Sequence, residues 1–324
     1  MIFLSGFLLP INPVIAFEVR SEFNACMERK MLQESNEVTL GDLRDECHQE
    51  LNSSSNAAQV SSLEKRLRFD RLTWDNPFSI SMHKPNYILF AAHNNKTNEA
   101  PFNEQFSTEN IRFDETEVKF QISAKYPIVT NLFNGVGNVF FAYTNRSFWQ
   151  MYNSSSAPFR ETNHEPEVFL SLKNDWELFG FTNSLVQVGI VHQSNGRAST
   201  LSRSWNRIFA SFIFEKDNLA VGFKPWYRIK ENISKDNNSD ITDYMGSFEL
   251  TAVYKNDKHT FSAMVRNNLQ NHDNRGAIQL DWVFPLSEYL SGYVQVFNGY
   301  GESLIDYNYH QKSIGFGVTL SGWL

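Results

Sequence analysis

The sequence predicts an all-β protein, a twelve-stranded antiparallel transmembrane β-barrel with a small N-terminal periplasmic extension. Three observations carry that prediction. From residue 87 onward, apolar residues alternate with polar or small ones over segments of about ten residues, as strands do when one face meets lipid and the other a lumen. Aromatic residues make up 15 % of the 324, including 28 Phe. Mean hydropathy is −0.40, and nowhere inside the chain is there the run of roughly 18 apolar residues that a spanning helix needs. A barrel escapes that exclusion, because alternation hides its lipid face from averages. A net charge of −7 argues against a nucleic-acid partner.

Met1 to Ala16 is the only sustained apolar stretch, and Val14-Ile15-Ala16 suits cleavage, so residues 1–16 read as a secretory signal peptide that lacks the usual positive start. Residues 17–80 differ from the rest. Glu, Lys, Arg, Asn and Ser dominate, and Leu or Met recur at helical spacing around Met27–Leu40 and Leu63–Leu67, which predicts a partly helical periplasmic extension. Cys26 and Cys47 are the only cysteines, and in an exported chain such a pair is expected to form a disulfide. Residues 81–324 are the predicted barrel domain. Its strands fall near 86–94, 118–128, 138–152, 166–177, 184–194, 205–216, 219–229, 244–256, 259–270, 275–285, 290–302 and 311–323. Ile314, Phe316, Val318 and Leu320 opposing Ser313, Gly315, Gly317 and Thr319 show the pattern clearly.

A soluble β-sandwich would give the same alternation. Strand length, the export signal, aromatic density and a strand running to the C-terminus favour the barrel. Lys216-Asp217-Asn218 and Asn256-Asp257-Lys258 make short turns, whereas the connections near 95–117, 153–165, 195–204 and 230–243 are long. Short turns face the periplasm and long loops the exterior. Counted that way, strand five ends at the outer-leaflet rim with Ser194, and strand six begins there with Asn206.

His192 and Ser194 lie two residues apart on a strand, so their side chains share a face with Val186, Val188 and Ile190. Asn206 has the same outward parity on the next strand as Ile208, Ala210, Phe212 and Phe214. A serine hydroxyl needs a neighbouring base, and the base needs a third group to fix its tautomer. Ser194 as nucleophile, His192 as base and Asn206 as orienting amide meet that need. An amide suits a lipid-facing site, where an ionised carboxylate is costly. Taken alone, the pattern is a weak signal, and polar rim residues at headgroup level give it far more often than a triad does.

The surrounding words narrow this. The chain resembles the outer membrane phospholipase A family in His192-Gln193-Ser194-Asn195-Gly196-Arg197 and Ser202-Arg203-Ser204-Trp205-Asn206-Arg207. It does so again in Pro158-Phe159-Arg160-Glu161-Thr162-Asn163 with Glu165-Pro166, and in Lys224-Pro225-Trp226-Tyr227. Asp240-Ile241-Thr242 with Tyr244-Met245-Gly246, and the run Gly299–Asn308, complete the match, which covers about residues 70 to 324. The resemblance implies a Ser-His-Asn triad on the outer barrel wall, with Gly196 supplying a backbone N–H to the oxyanion hole. It implies Ca2+ held by the Arg197 carbonyl and the Ser202 hydroxyl, with Ser156 contributed by a second subunit. The implied activity is hydrolysis of acyl esters of phospholipids and lysophospholipids at the outer leaflet of the bacterial outer membrane, switched on when a homodimer forms.

This chain departs from the family in three places. The loop Ala198-Ser199-Thr200-Leu201 has no acidic residue where the family often has one, and Ser199 stands in its place. Asn145 falls near a glutamine tied to the family's dimer contact, and extra residues around Ile233–Asn238 leave Asp236 as the candidate acid after strand seven. The alternatives are a non-enzymatic outer-membrane barrel, such as a porin, and a soluble exported hydrolase.

Overall fold

The computed structural model describes residues 61–74, 80–106, 110–232, 234, 236–287 and 290–323, with isolated positions between 26 and 47. The chain divides into two compact units, Met1–Val60 and Ser61–Leu324. In the first, Cys26 and Cys47 are disulfide-bonded, as their number and spacing predict, and Lys30 pairs with Glu46. The predicted signal peptide, residues 1–16, lies outside the described residues.

The second unit is a closed antiparallel barrel. Its strands are β1 (Asn86–Asn94), β2 (Thr116–Asn131), β3 (Gly137–Trp149), β4 (Phe159–Lys173), β5 (Phe181–Ser194) and β6 (Ser204–Lys216). They continue with β7 (Leu219–Ile229), β8 (Phe248–Asn256), β9 (His259–Asn267), β10 (Gly276–Pro285), β11 (Ser291–Gly299) and β12 (Gln311–Ser321). Each strand pairs with its sequence neighbours, and β12 returns to β1 through pairs such as Val318↔Ile88. Closure is what lipid demands, since each backbone group left unpaired in hydrocarbon costs several kcal/mol.

The connections alternate in length. Those at 95–115, 150–158, 195–203, 230–247, 268–275 and 300–310 gather at one rim, and the shorter ones at the other. In the two tightest, Asp217 and Asp257 take left-handed backbone with φ of 52° each, as two-residue hairpins require. Helix α1 (Ser62–Trp74) sits at the short-turn rim. Its Arg66 donates to the Gly322 carbonyl at 2.8 Å and the Met82 carbonyl at 3.1 Å, and its Asp70 accepts from Lys125 at 2.6 Å. The helix therefore belongs to the compact unit that contains the barrel.

Two strands begin elsewhere than the pattern suggests. β4 starts at Phe159, seven residues before the expected 166, and runs through Pro166. Proline cannot donate to a ladder, and pairing of β4 with β5 skips Glu165 and Pro166 while holding its register from His164↔Ser194 to Glu167↔Val191. β8 starts at Phe248 because Ile241–Met245 closes a short helix, α2, stopped by Gly246 at φ 70°.

The outer wall carries Val188, Ile190, Ile208, Phe223, Leu250, Leu280 and Phe316, all exposed. A contiguous apolar surface of this kind is a lipid surface rather than a water surface. Aromatic rings gather near both rims, with Trp282 against Phe261 and Phe284 at one and Trp149 stacked on Phe159 at the other. The interior is polar and densely hydrogen-bonded, around a cavity of about 130 Å³ lined by residues such as Arg146, Glu165, Arg207 and Glu302. Lys119 bonds Glu302 at 2.8 Å and Gln295 at 2.6 Å, and Arg160 bridges Glu117 and Asp306, each at 2.8 Å. The 300–310 connection folds inward, where the Leu304 and Ile305 amides donate to Asn163 and Glu161. Arg160-Glu161-Thr162-Asn163 thus serves as an interior hydrogen-bond network. Burial, and a 2.6 Å bond to Asp240, push the Tyr307 hydroxyl above its ordinary range.

Candidate active site

β5 and β6 form a hairpin whose far end is the 195–203 loop. In its register His192 stands directly opposite Asn206, and Ser194 opposite Ser204. Val191, Trp205 and Phe209 point inward and are almost fully buried, which turns His192 and Asn206 outward. His192 Nδ1 lies 2.8 Å from Asn206 Oδ1. The amide oxygen can only accept, so Nδ1 carries the proton and Nε2 is left with a free lone pair. That is the tautomer a base needs. Ser194 shares the outward face two residues on, and among the described residues no hydrogen bond joins its hydroxyl to His192. Such contacts often tighten only once substrate is bound.

Asn195 knits the loop after the serine. Its side chain donates to the Leu201 carbonyl at 2.8 Å and accepts from the Arg203 amide at 3.0 Å. Leu201 is buried with Phe102 and Ile305, and Thr200 is tied to Gln105 at 2.7 Å. Gly196 sits in this frame at φ 63°, a conformation that L side chains adopt only at a cost. Its N–H has no acceptor among the described residues.

The Arg197 guanidinium is tied to the Phe159 and Arg160 carbonyls at 3.0 and 2.6 Å. The Arg197 carbonyl and Ser202 hydroxyl have no hydrogen-bond partner among the described residues, so both stay available as oxygen ligands. Ser156 is exposed on the 150–158 connection and lines, with Arg197, Phe102 and Phe159, a cavity of about 360 Å³. Hard neutral oxygens suit calcium in kind. Among the described residues, no group of three or more His, Cys, Asp or Glu residues is placed to hold a metal ion. Asp236 binds Arg228 at 2.7 Å, and Asn145 lies 3.4 Å from His164.

Two neighbours escaped the sequence reading. His164 stands opposite Ser194 in the β4–β5 register and is held by Tyr143 Oη at 2.6 Å. Glu231, just past β7, accepts from Asn206 Nδ2 at 3.0 Å. Both have outward parity, but only the register between strands brings them to the site.

The family model described as Phospholipase A1 matches residues 63–320. The chain belongs to that family. Phospholipase A1 from Klebsiella pneumoniae is 38 % identical over 248 residues, 76 % of this chain and 84 % of its relative. Phospholipase A1 from Escherichia coli K12 is likewise 38 % identical, with 76 % and 83 % covered. Among solved structures, outer membrane phospholipase A from Escherichia coli superposes with a TM-score of 0.71 at 37 % identity, covering 77 % of this chain and 95 % of that one. The Salmonella typhi outer membrane phospholipase, a dimer with bound calcium, gives 0.70 at 36 %, covering 76 % and 94 %. This phospholipase A1-family chain is therefore an ester hydrolase built as an outer-membrane barrel.

Proposed function

We propose that the chain hydrolyses acyl esters of phospholipids and lysophospholipids at the outer leaflet, using Ser194, His192 and Asn206. One observation carries this reading: the 2.8 Å contact between His192 Nδ1 and Asn206 Oδ1, on the lipid-facing wall of a phospholipase A1-family barrel and two residues from a serine. His192 Nε2 takes the Ser194 proton as Oγ attacks the ester carbonyl. The carbonyl oxygen gains the negative charge and meets the Gly196 N–H. The histidine then gives its proton to the departing alcohol, leaving an acyl-serine, and water activated by the same nitrogen releases the fatty acid.

The Arg197 carbonyl, the Ser202 hydroxyl and the Ser156 of a second copy would hold Ca2+, which polarises the substrate carbonyl and eases charge build-up. Support comes from the unoccupied lone pairs of the first two and from the calcium-bound dimer of the Salmonella typhi relative. Needing a partner's serine would make activity depend on the homodimer. Residues 1–16 fit an export signal in this scheme, and the disulfide fits an oxidising periplasm.

Purified protein in detergent should release fatty acid from phosphatidylcholine with calcium and lose that activity on chelation. Ser194→Ala should abolish it while the barrel keeps its shifted mobility in unheated gels. Undiminished hydrolysis by the folded variant would overturn the assignment.

A further inference from the structure

The imidazole has a neutral amide where a carboxylate is the commoner orienter. An amide can turn over. With Nδ2 rather than Oδ1 facing His192, it would donate to Nδ1, move the ring proton to Nε2 and leave no base beside Ser194. Something must choose between the two orientations. Glu231 Oε1 lies 3.0 Å from Asn206 Nδ2, and an ionised carboxylate only accepts hydrogen bonds. It can face Nδ2 and not Oδ1.

We propose that Glu231 is a positioning residue of the hydrolytic site, holding the Asn206 amide with its oxygen on His192 so that His192 keeps the tautomer of a base. The inference rests on the hydrolase reading above. Its backbone setting is consistent. Asn206 pairs with Ile229 across β6 and β7, and Glu231, two residues past Ile229, keeps the same outward parity. The following turn is braced by Asn232, whose carbonyl accepts from the Asp236 amide at 3.0 Å and whose side chain accepts from the Ser234 amide at 3.1 Å.

The arrangement also settles where the negative charge sits. A carboxylate placed on the imidazole itself would stand on the lipid-facing wall, where charge is expensive. Glu231 lies beyond the end of its strand, at the loop rim, one hydrogen bond further out. Its charge polarises the amide, and a polarised Oδ1 holds the imidazolium formed during attack more strongly. The carboxylate of a Ser-His-Asp arrangement is in this sense relayed through Asn206.

The test combines kinetics with a direct reading of the tautomer. Glu231→Ala should lower kcat by roughly 10- to 100-fold, the range found when a hydrogen bond that orients a metal-binding side chain is removed, with KM nearly unchanged. Glu231→Gln keeps an acceptor but loses the charge and can itself turn over, so its activity should fall between wild type and Glu231→Ala. Protein labelled with 15N-histidine, in detergent without substrate, should show the His192 nitrogens as Nδ1–H in wild type. In Glu231→Ala the pattern should shift towards Nε2–H or a mixture. The His192→Asn variant assigns the signal. An unchanged 15N pattern in Glu231→Ala would overturn the proposal, as would equal loss of activity in the Ala and Gln variants. If the wild type hydrolyses no lipid, the hydrolase reading fails by itself, and the 15N spectra still decide whether Glu231 orients Asn206.

Discussion

That His192, Ser194 and Asn206 share an outward face was legible because a strand's period of two is a local property, readable from a dozen consecutive residues. Glu231 was not, because its bond to Asn206 spans 25 positions and depends on the β6–β7 register. The same holds for His164 and Ser194, which meet only through the pairing of β4 with β5. Gly196 permits a sharp residue-scale prediction. At φ 63° an alanine there carries a backbone penalty of about 1–2 kcal/mol. Its Cβ would meet only the His164 ring, at 3.7 Å, an ordinary contact. Gly196→Ala should therefore fold, with a small loss of stability. The loop would relax by turning the residue 196 N–H, and losing that donor should lower kcat by roughly 100-fold with little change in KM. Steady-state kinetics beside thermal unfolding checks both halves, and an unchanged kcat would remove the Gly196 N–H from the oxyanion hole.

At the scale of elements, hydrophobic parity and turn chemistry located most strand centres, and the errors lie where chemistry changes within a strand. Pro166 looked like a strand start, yet β4 runs through it because the ladder on one side simply opens there. Helix α1 read as part of a polar extension. Its ties are to chain segments that sequence cannot place beside it, as in the Arg66 bond to Gly322, 256 residues away. The 195–203 loop carries the proposed oxyanion donor and calcium ligands, and Leu201, 3 % exposed, is its anchor. Leu201→Ala removes a buried side chain from the cluster with Phe102 and Ile305, a loss of about 2–4 kcal/mol of local packing. Because strands β5 and β6 are held by their own ladder, the barrel should survive while the loop loosens. Both the Ser202 hydroxyl and the Gly196 N–H would drift, so calcium should be needed at higher concentration for half-maximal activity. An unaltered calcium titration would show that the loop is positioned from elsewhere.

At the scale of the whole molecule, the interior separates a hydrolase wall from a pore. Alternation alone could not, since a porin has the same outward apolar and inward polar residues. What decides is which charges face each other across the lumen, and that depends on partners far apart in sequence, such as Lys119 with Glu302 and Arg160 with both Glu117 and Asp306. These side chains are buried, and a buried ion pair that loses one partner costs about 3–5 kcal/mol. Opening a water path would have to break several such bonds together with those that tether the 300–310 connection to Asn163 and Glu161. Fluctuations of that size are rare. In planar bilayers the wild-type barrel should therefore show no steady single-channel current at concentrations where it hydrolyses lipid. Glu302→Ala, which strands Lys119 beside Gln295, should lower the unfolding temperature and admit intermittent conductance while leaving the outer-wall triad in place. A wild-type barrel that conducts steadily would mean that the lumen network opens readily, and the molecule would then be a pore bearing a triad rather than a packed scaffold for one.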